Sequence, residues 1–253
     1  MIRLDANQTR LDIMRRIIRE SAPLRRLYYR AKLAHATGQS DEGKILERLS
    51  SGIPRTFIEI GFHPIEFNCV AFARHPEWRG LLIDGNERQV SDARYLFSER
   101  VDIVQKFLTL ETLGPVREHF RELGILSIDV DGNDYWFLKE LIDCKPNVIC
   151  IEYNSSFGLE PVTIPYDASF NRHNVHPRGW YHGASLTALA KLCAHAGYGL
   201  TAISENGTNA FFSRDGKLNP EAAWKPNMAR ARMSGIDHAA QWNSLKTLPL
   251  IPV

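Results

Sequence analysis

The run Leu126-Ser-Ile-Asp-Val-Asp-Gly-Asn-Asp134 leads directly into Tyr135-Trp-Phe-Leu-Lys-Glu-Leu-Ile142. An apolar, β-branched stretch that ends in acidic residues and a glycine, then resumes as an amphipathic helix, is a strand-to-helix junction. In open α/β folds such junctions lie at the carboxyl ends of parallel strands, where ligands bind. Asp129, Asp131 and Asp134 repel one another unless water, a cation or a ligand ammonium group intervenes. A solvated, N-capped helix start would explain the same residues without a ligand. The rest of the chain decides between the two.

From residue 40 onward, helical and strand-like patterns alternate. Ser40–Leu49 reads as a helix and Thr56–Ile60 as a strand ending at Gly61. Helical Asn68–Arg74 precedes a strand at Gly80–Asp84, and helical Arg88–Glu99 precedes one at Val101–Gln105. Leu113–Leu123 reads as a helix before a fourth strand at Ile125–Val130, and Tyr135–Ile142 as one before a fifth at Val148–Tyr153. Strands separated by helices imply crossovers and a parallel sheet. After a helix at Ser185–Ala196, strand-like Tyr198–Ser204 and Thr208–Ser213 flank Glu205-Asn206-Gly207, a hairpin signal. A parallel sheet that closes on a hairpin has an antiparallel last strand. Methyltransferase-type sheets end this way, whereas dinucleotide dehydrogenases continue with parallel units.

The strand ends share a chemistry. Glu59 closes the first strand, Asp84 the second, Asp129 and Asp131 the fourth, and Glu152 with Asn154 the fifth. In a doubly wound sheet these lie on one edge. A carboxylate after the second strand can accept both ribose hydroxyls, and one near the first loop can meet an ammonium group. Together they point to a cationic nucleoside ligand.

Gln39-Ser-Asp-Glu-Gly-Lys-Ile-Leu46, Phe57-Ile-Glu-Ile-Gly61, Trp78-Arg-Gly-Leu-Leu-Ile-Asp-Gly85 and Leu126-Ser-Ile-Asp-Val-Asp-Gly-Asn-Asp-Tyr135 resemble the FkbM-type branch of S-adenosylmethionine-dependent methyltransferases. Ile151-Glu-Tyr-Asn154, Gly183-Ala-Ser-Leu186 and Asn209-Ala-Phe-Phe212 resemble later blocks of an ill-characterised subgroup. The resemblance spans residues 39–214. It implies a Rossmann-like seven-stranded α/β sheet, with Glu59, Gly61, Asp84 and Asp129 at cofactor-contacting positions. It also implies methylation of a hydroxyl on a sugar or other small metabolite. One departure stands out. Such enzymes usually carry two or three glycines in the first loop, because the backbone passes close to the cofactor. Here Gly61 is followed by Phe62-His63-Pro64-Ile65-Glu66.

Residues 155–182 read as an ordered lid over the acceptor side, being long, irregular and rich in aromatic residues. His182, beside Gly183, is the candidate general base, with Asp131 facing the acceptor beside it. Asp129, Asp131, Asp134 and Glu152 are hard oxygen ligands that suit Mg²⁺ better than zinc. Residues 215–253 read as a C-terminal strap.

Residues 1–38 form a basic extension: positions 1–32 hold nine Lys/Arg against three acidic residues. Leu11, Met14, Ile18, Leu24 and Leu27 recur at helical spacing, which suggests amphipathic helices packing in a homodimer. Nucleic acid is the weaker partner, since aromatic and Gly-rich interleaving is absent. No apolar run is long enough to span a bilayer, and no secretory h-region opens the chain. Cys69, Cys144, Cys150 and Cys193 lack CxxC spacing, so reduced thiols and a cytoplasmic location are expected. The resulting expectation is a methyltransferase acting on a small-molecule hydroxyl. A non-catalytic binding or assembly module on a degraded fold, and an RNA or protein methyltransferase, remain as alternatives.

Overall fold

In the computed structural model, which describes residues 16–97 and 99–253, the strands gather into one main sheet. Its members are β1 (Thr56–Ile60), β2 (Arg79–Asp84), β3 (Val101–Gln105), β4 (Ile125–Ile128), β5 (Val148–Glu152), β7 (Gly199–Ile203) and β8 (Asn209–Ser213). A short pair is formed by β6 (Val162–Thr163) and β9 (Ile251–Pro252). The seven-stranded order is β3-β2-β1-β4-β5-β8-β7. Strands β1 to β5 pair in parallel, and β8 runs antiparallel to both β5 and β7. This is the methyltransferase-type α/β sheet, antiparallel strand included.

Strands covered on both faces should be apolar throughout, and β4 is buried at all four positions. Alternate residues feed two cores. Ile58, Ile60, Leu126 and Ile128 pack on one face, and Phe57, Leu82, Ile125 and Cys150 on the other. The strand order reverses between β1 and β4, so a crevice opens at their carboxyl ends.

Several boundaries differ from the sequence reading. The fourth strand stops at Ile128 rather than Val130, because Asp134 draws the Val130 and Gly132 amides into a turn at 2.9 Å each. The helix expected over Leu113–Leu123 is only Gly114–Arg117, preceded by a 3₁₀ turn at Leu110–Thr112. Residues 155–182 contain β6 and a short helix, Arg172–Val175. They share a third core with the C-terminal residues: Phe157, Ile164, Trp180 and Tyr181 pack with Leu245, flanked by Trp242 and Leu248.

The N-terminal helix Ala22–Leu33 meets the rest of the chain through its charged side. Leu24 and Leu27 are exposed, and Arg25 is the buried residue. Arg25 donates to Asp92 at 2.5 and 3.1 Å, and Arg26 joins the same carboxylate at 3.0 Å. The helix therefore docks through charge onto Glu87–Leu96, while Leu11 and Met14 lie outside the described residues. The four cysteines are free, and no helix among the described residues is long and apolar enough to cross a membrane.

Candidate functional site

Two adjoining clefts open along the carboxyl edge of the sheet. The first, about 660 Å³, runs past Gly61, Asp84 and Phe107 to Asp129. The second, about 590 Å³, lies between Asp129 and Glu152 on the sheet side and Trp180 and Arg230 on the other. Both volumes suit small-molecule ligands. Gln39, Asp129, Asp131 and Arg172 line both clefts, so the two meet at this group.

Gly61 sits where β1 passes closest to β4. Its φ is +79°, and a Cβ there would lie 1.8 Å from the Asp129 carbonyl oxygen. The bulky residue after it does not block the cleft. Phe62 is 5% exposed and packs in the core against Phe67, with ring centroids 6.0 Å apart. Gly61 thus makes room for the Asp129 carbonyl, while Phe62 and His63 both contribute to the wall of the first cleft.

The other expected cofactor residues divide. Asp84 lines the first cleft and accepts from the Phe62 and Asn86 amides at 3.1 and 2.6 Å, tying two loops together. Burial raises its pKa. Glu59, by contrast, is fully buried. It accepts from the Asn68 and Cys69 amides and the Ser127 hydroxyl at 3.3, 3.0 and 2.9 Å. Burial pushes its carboxyl up to about 7. Its oxygens thus hold the loop, and the residue also lines the first cleft beside Gly61. Phe107, which sequence reasoning missed, is 64% exposed on the first cleft and stands over Gly85. The signal was there: a lone aromatic directly after the third strand.

The acidic cluster is not the one expected either. Asp129, Asp134 and Glu152 each bring an oxygen within 4.8 Å of the others. Asp131 turns away, in a left-handed conformation (φ 59°), to pair with Arg172 of the 155–182 segment. Burial first, then the neighbouring carboxylates, raises the pKa of Asp129 and of Glu152. Burial pushes Asp134 to about 6 against its two amide donors. An all-oxygen set of this charge fits a hard divalent cation.

His182, the expected base, lies behind the wall of the clefts. It is 1% exposed and lines neither cleft. Its Nε2 accepts from Arg230 Nη2 at 2.8 Å, and its Nδ1 stands 3.6 Å from Glu152 Oε2. Burial, then Arg230, lowers its pKa well below the ordinary value, so it stays neutral. The ring stands between Arg230 and Glu152. Arg230, from the helix Met228–Ser234 in the C-terminal strap, was also missed. Its guanidinium gathers Asn154 Oδ1, Ser156 Oγ and His182.

No protein-family model matches the sequence, and no curated protein does. Among solved structures, the N-terminal domain of EvdMO1, crystallised in the presence of S-adenosylhomocysteine and D-fucose, is 16% identical, with a TM-score of 0.46 over 68% of this chain and 80% of that one. Cofactor-bound Rv0187 from MTB is 15% identical, with a TM-score of 0.48 over 85% and 100%. A SAM-dependent methyltransferase from Aquifex aeolicus is 12% identical, with a TM-score of 0.40 over 68% and 88%.

Proposed function

We propose that this chain is an S-adenosylmethionine-dependent methyltransferase acting on a hydroxyl of a small polar acceptor. The observation that carries the reading is the meeting of two ligand-sized clefts at Asp129. A donor and an acceptor held in separate cavities need one point of contact, and direct displacement needs their reacting atoms in line.

When bound, the cofactor supplies a sulfonium methyl group open to displacement. Asp84 keeps lone pairs for the ribose hydroxyls beyond those given to the two amides. Phe107 offers a face for the adenine base. Asp129 removes the acceptor proton at its carboxylate, and its raised pKa makes it a stronger base than an ordinary aspartate. Arg172, tied to Asp131, closes the lid segment over the junction. A cation such as Mg²⁺ held by Asp129, Asp134 and Glu152 would lower the pKa of the acceptor hydroxyl. Chelation that abolishes turnover supports that addition, and turnover indifferent to chelation leaves Asp129 as the base. The homodimer reading rests on Ile17, Leu24, Leu27 and Tyr28, which form an exposed apolar face on the N-terminal segment.

Calorimetric titration with S-adenosylhomocysteine tests the proposal. Wild type should bind. Asp84→Ala should bind about tenfold to a hundredfold more weakly through the lost charged acceptor, and Phe107→Ala should also lose affinity. Absence of binding by wild type returns the degraded-fold alternative.

A further inference from the structure

We infer that the second cleft takes an acceptor bearing an oxyanionic group, a carboxylate or a phosphate, alongside its hydroxyls, with Arg230 and Arg178 as partners of the anion. The inference rests on the methyltransferase reading for the hydroxyl's role, but the anion site stands on its own geometry.

Arg230 is partly buried, and its hydrogen-bond partners are Asn154 Oδ1 at 2.8 Å, Ser156 Oγ at 2.6 Å and His182 Nε2 at 2.8 Å, none of them a carboxylate. No carboxylate stands within ion-pair distance of it among the described residues. Its Nε also has no protein acceptor there, and the residue lines the second cleft. A cation withdrawn from water without a counter-charge is costly, and an anionic ligand offsets that cost. Glu152 lies beyond the His182 ring, which stands between the two, so it makes no direct ion pair with Arg230.

Arg178 repeats the pattern on the same cleft. It is exposed, lies 5.0 Å over the Trp180 ring, and has no ion pair among the described residues. Arg172 differs, being taken up by Asp131. The opposite wall offers acceptors. Asn209 Oδ1 and Glu152 Oε2 are buried without partners, and both residues line the second cleft. Each is an acceptor suited to a hydroxyl donor. The guanidinium groups come from the lid and strap, and the acceptors from the sheet edge. An acceptor with its anion toward the arginines therefore turns its hydroxyls toward Asp129.

The test is calorimetric titration of the full chain, saturated with S-adenosylhomocysteine, with glucuronate, glucose 6-phosphate and glucose. At least one anionic sugar should bind, and glucose should bind at least tenfold more weakly. Arg178→Gln, which removes an exposed side chain, and Arg230→Gln should each weaken the anionic sugar tenfold or more while S-adenosylhomocysteine binding is kept. The inference is overturned if glucose matches the anionic sugars, if neither anionic sugar binds, or if Arg178→Gln and Arg230→Gln both bind them like wild type. If S-adenosylhomocysteine itself fails to bind, the methyltransferase reading falls. Glucuronate or glucose 6-phosphate binding that is lost in Arg178→Gln would then still support the anion site.

Discussion

Gly61 and Asp129 approach so closely that a single added carbon on the first would lie 1.8 Å from the carbonyl oxygen of the second. The contact joins β1 to β4 where the strand order reverses, so it sets the floor of the cleft junction. Gly61→Ala must strain a positive φ and push two strand ends apart. The expected cost is about 2–4 kcal/mol. For a chain of this size that lowers Tm by roughly 5–15 °C. Thermal unfolding with and without S-adenosylhomocysteine checks it, and the variant should lose the ligand's stabilisation along with its own.

Asp92 makes a second strong prediction. It receives Arg25 and Arg26 at a site where Arg25 is 6% exposed. Asp92→Ala leaves a buried guanidinium unanswered, at a cost of about 3–5 kcal/mol. Replacing both partners, as in Arg25→Met with Asp92→Ala, should recover much of that loss. Denaturant unfolding of the single and double variants measures the difference. A double variant no more stable than Asp92→Ala alone would mean that the ion pair is not what ties the N-terminal helix down.

Glu59 should write a pH dependence into stability. Its carboxyl stands at about 7 in the fold against an ordinary 4.5. Between those values the folded state holds more protons than the unfolded chain, so stability falls as pH rises from 4.5 to about 7, then levels off. At 1.36 kcal/mol per unit the drop is about 3 kcal/mol. Asp134, pushed to about 6, slopes the same way. Comparison with Glu59→Gln therefore isolates the effect. That variant should show a shallower fall between pH 5 and 7, and equal slopes in the two proteins would place the proton elsewhere.

The strands were legible because strands covered on both faces must be apolar along their length, as Ile125–Ile128 is. Gly61 and Asp84 were legible by position alone, at strand ends of an α/β sheet. His182 was not. Its neighbour Arg230 lies 48 residues further on, in a tail whose periodicity is weak, and only the fold brings the two within 2.8 Å. The hydrogen bonds of Glu59 were hidden for a related reason. Strand alternation does not tell which loop amides will turn inward, and here those of Asn68 and Cys69 reach its carboxylate. On the N-terminal helix, counting apolar residues did not reveal the contact within the chain, since the partner of Arg25 is Asp92, 67 residues away.

In the proposed mechanism Asp129, not His182, takes the acceptor proton. Asp129→Asn keeps the shape of the junction and removes the base, so turnover should fall by about 10²–10⁴, read as S-adenosylhomocysteine formed with an acceptor that the wild type methylates. S-adenosylhomocysteine is a neutral thioether at the reacting centre, so its affinity should hardly change, while the sulfonium cofactor should bind more weakly without the nearby carboxylate. Loss of the acidic limb of the pH–rate profile should accompany the fall in turnover. His182→Gln should behave differently. The ring orients Arg230 and Glu152, so its loss should raise the acceptor KM and leave that limb in place. If His182→Gln erases the limb while Asp129→Asn keeps it, the imidazole is the base after all, and the second cleft must open further than its buried position allows.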